Sequence, residues 1–426
     1  MLIEFSVKNF MSFKDWTTLS MVAGKGNESK ETERNVTRAA QGSKYDLKKS
    51  AVIFGANASG KTNLYRAHIF FKWFVVLSAT TEKPIISHVP FKLDSSTFSQ
   101  PTEFEIVFLL EGIKYVYGFS VTETHVLNEY LFNYPKKQPR KVFSREYLPE
   151  ENEYKFKKGE GWESSESEWE SIKKATKPHV LMLSIANFLN EKIGVALLEY
   201  LGSKQKSIGN DPVLSSEMEY TKQRALKDPD FKAWAIELLR HADVGIHDFE
   251  VKEEEKDPEP SPMEPGRVKQ EKKTTILFYH NQKSEKGETL RISFEQLEES
   301  HGTQKLFALA APIYYVLEQG SLLIADELDT RMHPLMTRWL LDLFHNPKTN
   351  PKGAQIIFTA HDDGLLDSKL FRRDQILFTE KGSDGVSELF ALSDLKGVRK
   401  AEDIRKGYRV GRYGAVPFLE PMGDED

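Results

Sequence analysis

The chain has 426 residues, with 59 Lys plus Arg against 64 Asp plus Glu, a formal net charge of −5. That balance excludes a histone-like or polybasic nucleic-acid binder, although local basic grooves stay open. An apolar fraction of 39% supports a packed core, and 29% charged residues point to exposed helices or charged inserts. Cysteine is absent, which excludes disulfides, a thiolate nucleophile and Cys-ligated zinc. The length suits two or three domains. The opening MLIEFSVKNFMSFKDW lacks the pattern of a signal peptide, and the apolar run from Ile69 is cut by Lys72. A cytoplasmic protein with no membrane partner is expected.

In chain order, residues 2–7 alternate apolar and polar, predicting a first strand, and the polar residues 24–50 predict a long loop. Ala51 to Phe54 has the form of a buried parallel strand feeding a helix from Lys61 to about Ser78. The apolar side chains Ile69, Phe70, Phe71, Trp73, Phe74 and Val75 of that helix are expected in the core. Residues 103–132 predict a meander, with Glu111-Gly112 turning between two strands. Residues 178–243 carry helical patterns, and 252–273, with four prolines and dense charge, predict a linker. Strands are then predicted at 274–280, 290–297, 321–326, 354–361 and 374–380. Helices alternate with them at Leu306–Leu317, with a kink at Pro312, and at Pro334–Phe344. This alternation predicts an α/β fold with a mainly parallel sheet.

The strongest motif is Gly55-Ala56-Asn57-Ala58-Ser59-Gly60-Lys61-Thr62, a G-x-x-x-x-G-K-[ST] loop set between a strand and a helix. In such a loop the backbone N–H groups of Asn57, Ala58, Ser59 and Gly60 curl around phosphates, and the helix N-terminus adds a favourable dipole. Lys61 reaches the β- and γ-phosphates of ATP, and Thr62 offers a hydroxyl to Mg²⁺. Asp326 and Glu327 close the apolar run Leu322–Ala325. Carboxylates at the tip of a buried parallel strand point at the phosphate loop. Asp326 is the expected Mg²⁺ ligand and Glu327 the base that deprotonates the attacking water. Upstream, Ser300, Gly302 and Thr303 open a helix and suit a γ-phosphate. Asp329 follows the acids, and His361 ends the next strand, where it can sense the γ-phosphate. His333-Pro334 reads as a helix start. The basic run Arg405–Arg412 suits nucleic acid or a partner, but for it and for Lys136, Lys137, Arg140 and Lys141 a solvated charged face is the favoured reading.

The order of phosphate loop, Ser-x-Gly, paired acids, Leu-Asp and terminal His resembles that of ABC-type ATPases. Asn9-Phe10-Met11-Ser12-Phe13 and GANASGKT resemble the SMC and RecF branch. ESHGTQKLFALAAPI, IADELDTRMHPL, AQIIFTAHD, RRDQILF and GRYGAVPF resemble the AAA-family ATPases of abortive-infection and RloA type. The resemblance implies an ABC-type P-loop NTPase with a mainly parallel sheet, a β-rich meander and a partly helical insertion. Residues 1–135 would be the N-terminal lobe, 136–273 an insertion subdomain with its charged linker, and 274–426 the C-terminal lobe. Ser300, Gly302 and Thr303 become the signature that contacts ATP on the opposite subunit, Asp329 the D-loop acid and His361 the switch histidine. Two positions depart from the pattern: Ala58 stands where SMC-like loops usually have Gly, and His301 replaces the first signature Gly. No glutamine is assigned to a Q-loop.

The resemblance further implies a head-to-tail homodimer or higher oligomer around ATP. The stretch between Thr62 and Ser300 lacks the sustained heptads of an SMC coiled coil. The residues after His361 are too few for the acidic metal-binding domain of OLD-type nucleases. An effector on another polypeptide, RloB-type or a Toprim nuclease, is therefore expected. The leading function is an ATPase of antiphage defence that controls that effector. The alternatives are a RecF/SMC-like DNA-repair ATPase acting directly on DNA, and a scaffold with structural ATP, which Glu327 disfavours. Whether nucleic acid is bound directly stays open.

Overall fold

The computed structural model describes residues 1–25, 30–39, 45–81, 88–209, 216–242, 245–255, 272–285, 288–399 and 402–417. β1 (Leu2–Lys8) and β2 (Thr17–Ser20) open it, followed by β3 (Val36–Arg38) and β4 (Asp46–Lys48). β5 (Ser50–Phe54) runs into α1 (Lys61–Leu77). β6 (Thr102–Leu110), β7 (Ile113–Val121), β8 (Val126–Tyr134), β9 (Arg140–Leu148) and β10 (Glu153–Lys158) follow as a meander. Next come α2 (Glu166–Ala175), α3 (Met182–Phe188), α4 (Lys192–Leu198), β11 (Lys206–Ile208), α5 (Ser216–Lys227) and α6 (Pro229–His241). β12 (Ile246–Glu255), β13 (Lys272–Lys283) and β14 (Thr289–Glu295) precede α7 (His301–Gln319) and β15 (Leu322–Ala325). Last are α8 (Pro334–His345), β16 (Gln355–Thr359), β17 (Ile376–Lys381), β18 (Ser387–Ala391) and α9 (Ile404–Arg409).

Two large sheets organise these elements, beside a three-stranded sheet β12-β13-β14 and the β3–β4 pair. A six-stranded sheet has the order β11-β15-β16-β5-β17-β18, parallel except for β18. Its central strands β15, β16 and β5 are largely apolar because both faces are buried, and the two-residue period sorts the side chains. Ala51, Ile53, Leu322, Ile324, Ile357 and Leu377 face one core, shared with α1. Val52, Phe54, Leu323, Ala325, Ile356, Phe358, Ile376 and Phe378 face the other, shared with α7 and α8. The second sheet is antiparallel, in the order β10-β9-β8-β7-β6-β1-β2. Glu111 and Gly112 both take positive φ, 51° and 78°, as the tight β6–β7 hairpin requires. Among the described residues no helix is long and apolar enough to cross a membrane.

Several sequence expectations are corrected. The stretch 24–50 is not one loop: β3 and β4 pair, and Leu47 of that hairpin packs on Ile3, Val107 and Leu109 of the second sheet. Trp73 is 62% exposed, because it points away from the face that buries Phe71, Phe74 and Val75. The boundary expected at 135 separates β8 from β9, which are neighbours in one sheet. The boundary at 273 falls inside β13, which pairs with β12. Residues 136–273 are shared between two cores, since Leu183 and Leu197 join that of α1 while Phe231 and Phe249 join that of α7. The linker expected over 252–273 begins and ends inside β12 and β13, and its middle, 256–271, lies outside the described residues. Pro312 sits inside α7, where it has no N–H for the carbonyl of Ala308. The buried Thr221 hydroxyl of α5 donates to that carbonyl at 3.0 Å instead.

Candidate functional site

Parallel strands β15, β16 and β5 are adjacent and end at one level, with Ala325 beside Phe358 and Thr359 beside Ile53. The turns after them therefore meet at one edge of the sheet, where α/β folds bind ligands. After β5 comes the glycine-rich loop, after β15 the Asp326-Glu327 pair, and after β16 His361. Asn57, Ala58, Ser59, Gly60, Lys61 and Thr62 line one cleft together with Glu327 and His361.

The loop is held from below. The Ser387 hydroxyl donates to the Ser59 carbonyl at 2.6 Å, and the Ser59 and Thr379 hydroxyls meet at 2.6 Å. Gly60 has φ of 118°, and a Cβ there would come within 2.6 Å of Ser387 Oγ, so both backbone and space demand glycine. Ala58 takes φ of 62°, a left-handed conformation that costs an L-residue about 1–2 kcal/mol and that glycine adopts freely. The departure from Gly at this position keeps the loop's path and adds strain. Lys61 is nearly buried, and its ammonium donates to the carbonyls of Gly55 (2.7 Å) and Ala56 (3.1 Å). Burial lowers its pKa, while the carboxylates of Glu327, Asp326 and Asp329 raise it.

Asp326 is 3% exposed and accepts the Thr359 hydroxyl at 2.7 Å. Among the described residues no cation forms an ion pair with it. A buried carboxylate at the tip of β15, two strands from the tip that leads into the loop carrying Thr62, suits Mg²⁺, which is usually held by one or two carboxylates plus substrate phosphates. Glu327 takes φ of 50°. Its N–H donates to Thr359 Oγ1 (2.7 Å), its Oε2 accepts from Thr330 (3.4 Å), and its Oε1 lies 3.5 Å from His361 Nε2. Asp329 receives the N–H groups of His361 (2.7 Å) and Asp362 (2.6 Å) on Oδ2, so in its own subunit it fixes the turn that carries His361.

Ser300 caps α7: its Oγ accepts the Thr303 N–H at 3.1 Å. Gly302 packs against the Arg331 carbonyl. Neither Ser300, Gly302 nor Thr303 lines the cleft of Lys61. His333 caps α8, with Pro334 as its first residue, as its sequence implied. Arg405 and Arg409 are not simply solvated: both pair with Asp363, two residues after His361, and Tyr408 stacks on Phe378.

Four contributors escaped sequence reasoning. Asn63 and Lys381 line the cleft, and both also border a neighbouring hollow with Met11, Val89, Pro90 and Phe91. Thr359 holds both acids through one hydroxyl. Lys305, 2% exposed, donates to the carbonyls of Glu327 (2.9 Å) and Thr330 (2.8 Å). The available signals were a hydroxyl ending the apolar run Gln355–Thr359 and a lone cation opening the apolar run from Leu306.

The family model described as "AAA domain, putative AbiEii toxin, Type IV TA system" matches residues 50–367. No curated protein matches the chain. Among solved structures, one titled "Crystal structure of the SmcHead bound to the C-winged helix domain of ScpA" is similar at 14% identity. The alignment covers 92% of this chain and 97% of that chain with a TM-score of 0.48. The matched span is well over half of the 426 residues and contains the phosphate loop, both acids and His361; the chain belongs to this AAA-domain family of ATPases.

Proposed function

We propose that the chain hydrolyses ATP to ADP and phosphate and uses the cycle to control a separate effector in bacterial antiphage defence, in the manner of RloA-type abortive-infection ATPases. The observation that carries the hydrolytic part is the convergence of Lys61, Asp326, Glu327 and His361 at the tips of three adjacent strands. The loop N–H groups and Lys61 bind the phosphates; Lys61 exchanges its present carbonyl partners for phosphate oxygens. Thr62 and Asp326 are the residues that would hold Mg²⁺, which supplies charge neutralisation when bound. Glu327 accepts the proton of the attacking water, and His361 orients Glu327 and contacts the γ-phosphate. The hollow of Met11, Val89, Pro90 and Phe91 continues the cleft and takes the nucleoside end.

A homodimer closed head to tail around ATP is part of this proposal. It is supported by Ser300, Gly302 and Thr303 lying outside their own subunit's cleft, on a helix N-terminus suited to an anion. An RloB-type protein or a Toprim nuclease is the proposed effector, acting in the cytoplasm. The test is Glu327→Gln, which keeps the side chain's size but cannot accept the proton. Phosphate release should fall by about 10²–10⁴, and light scattering should show an ATP-dependent rise in mass. Near-normal hydrolysis would remove Glu327 from its role. Failure of the neighbouring gene product to co-purify with the ATP-trapped variant would defeat the effector assignment.

A further inference from the structure

Among the described residues, the β3–β4 hairpin covers the outer face of the antiparallel sheet at the end near Ile3, Val107 and Leu109, and its cluster reaches Val116. Beyond that end the register sets side chains in rows across β7, β8, β9 and β10. One row pairs Lys114 with Tyr134, and the next runs Val116, Phe132, Lys141. The third runs Gly118, Tyr130, Ser144, Lys157, and the fourth includes Glu146 and Lys155. Tyr130, Phe132 and Tyr134 are alternate residues of one strand, so all three rings stand on this face, each half-buried. Together with Val116 and Pro139 they line an open hollow.

The Tyr130 ring lies along the sheet: a Cβ on Gly118 would collide with its hydroxyl, which reaches across to Glu105 at 2.6 Å. Covering a strand glycine with an aromatic ring explains Tyr130 on structural grounds alone. It does not explain Phe132 and Tyr134, nor the cations around them. Lys114 Nζ sits 3.8 Å from the Tyr134 ring centre and Lys141 Nζ 5.8 Å from that of Phe132. Lys136 and Lys137 are exposed in the β8–β9 turn, Lys155 and Lys157 on β10. None of these four forms an ion pair with a described residue. The acids on the face include Glu105, engaged by Tyr130, Glu103, paired with Lys8, Glu146, opposite Lys155, and the exposed Glu153 at the start of β10.

Rings spaced along an open sheet, flanked by unpaired lysines, suit a partner with aromatic planes on a negatively charged backbone. We infer that the outer face of β7–β10 binds single-stranded nucleic acid, with bases on Tyr130, Phe132 and Tyr134 and phosphates on Lys136, Lys137, Lys155 and Lys157. A duplex hides its base faces and cannot use the rings. The site is remote in sequence from the phosphate loop and stands whether or not ATP is hydrolysed.

The test is fluorescence anisotropy of the full chain, without nucleotide, against short labelled single-stranded RNA, single-stranded DNA and a DNA duplex. Single strands should bind more tightly than the duplex, and the tighter of RNA and DNA names the natural source. Tyr134→Ala should weaken binding about tenfold. Lys136→Glu with Lys137→Glu, on an exposed turn that leaves the sheet intact, should also weaken it. The same pair should flatten the salt dependence by roughly 0.7 for each phosphate that is no longer neutralised. Circular dichroism confirms that both variants are folded. Absence of single-strand binding, equal binding of the duplex, or lysine variants that bind like wild type would each overturn the inference.

Discussion

Lys305→Met removes a nearly buried ammonium that joins the second turn of α7 to the turn carrying Glu327. Met matches the length and loses both bonds, to the carbonyls of Glu327 (2.9 Å) and Thr330 (2.8 Å). Hydrogen bonds to a charged donor contribute about 1.5–3 kcal/mol each, and part of that returns because the charge no longer has to be desolvated. The net loss is about 1–3 kcal/mol, concentrated on a turn in which Glu327 already has φ of 50°. A relaxed turn displaces the carboxylate, and misplacing a reacting group by about 1 Å costs up to roughly 10²-fold in rate. Steady-state phosphate release should therefore show kcat lowered about 10- to 100-fold. KM for ATP should change little, because the carbonyls of Glu327 and Thr330 lie outside the loop from Gly55 to Thr62. Lys305→Arg, which keeps the charge, should recover part of the rate. Wild-type kcat in Lys305→Met would refute the coupling, as would a loss confined to KM.

Lys61→Ala should abolish tight ATP binding in calorimetry, since the phosphates lose their main cation in a partly desolvated site. Thr359→Val leaves the Glu327 N–H and one Asp326 oxygen without their shared partner; denaturant titration should show a loss of about 2–4 kcal/mol. Ser300→Arg should bind ATP but hydrolyse it poorly, and mixing it with Lys61→Ala protein should restore at most one composite site, read by phosphate release. Burial pushes the His68 and His345 imidazoles down to about 3, helped by Lys72 for the first and by Arg34 and Lys49 for the second. Both stay neutral in the fold but gain a proton near pH 6.5 when unfolded. Stability is then complete above that value and falls as pH drops toward 3, by about 1.4 kcal/mol per unit for each histidine. Urea titrations between about pH 7 and pH 5 check this, and His68→Gln should make the decline shallower.

The phosphate loop, its strand and its helix were legible because their signals are local: a spacing, an apolar run and the absence of breakers. The alternation that divides Ala51 and Ile53 from Val52 and Phe54 could not be read, because a doubly buried strand is apolar at every position. Sheet pairing could not be read for a different reason. β1 pairs with β6, and β5 lies between β16 and β17, so sheet neighbours are far apart in sequence and composition along the chain does not report them. Trp73 was misplaced because helical spacing identifies an apolar stripe without saying how wide the covered face is. Lys305 and Thr359 were missed because each acts on backbone groups of a distant turn, and no motif encodes that.

Lys305 and Thr359 explain how Glu327 keeps its left-handed backbone. A non-glycine residue in that conformation relaxes unless its surroundings over-determine it. Here the Thr359 hydroxyl holds its N–H from β16, and the Lys305 ammonium holds its carbonyl from α7. Asp329, two residues on, grips the backbone of His361 and Asp362. The Glu327 turn is thus fastened to the helix that begins with Ser300 and to the turn that presents His361. A displacement of α7 at its N-terminus reaches the Glu327 carbonyl through one side chain. A ligand engaging Ser300 would then act on the position of Glu327 without a change in the loop from Gly55 to Thr62. Under the proposed function binding and hydrolysis should therefore separate by mutation: Lys61→Ala should remove the first, whereas changes at Lys305 and Thr359 should move Glu327.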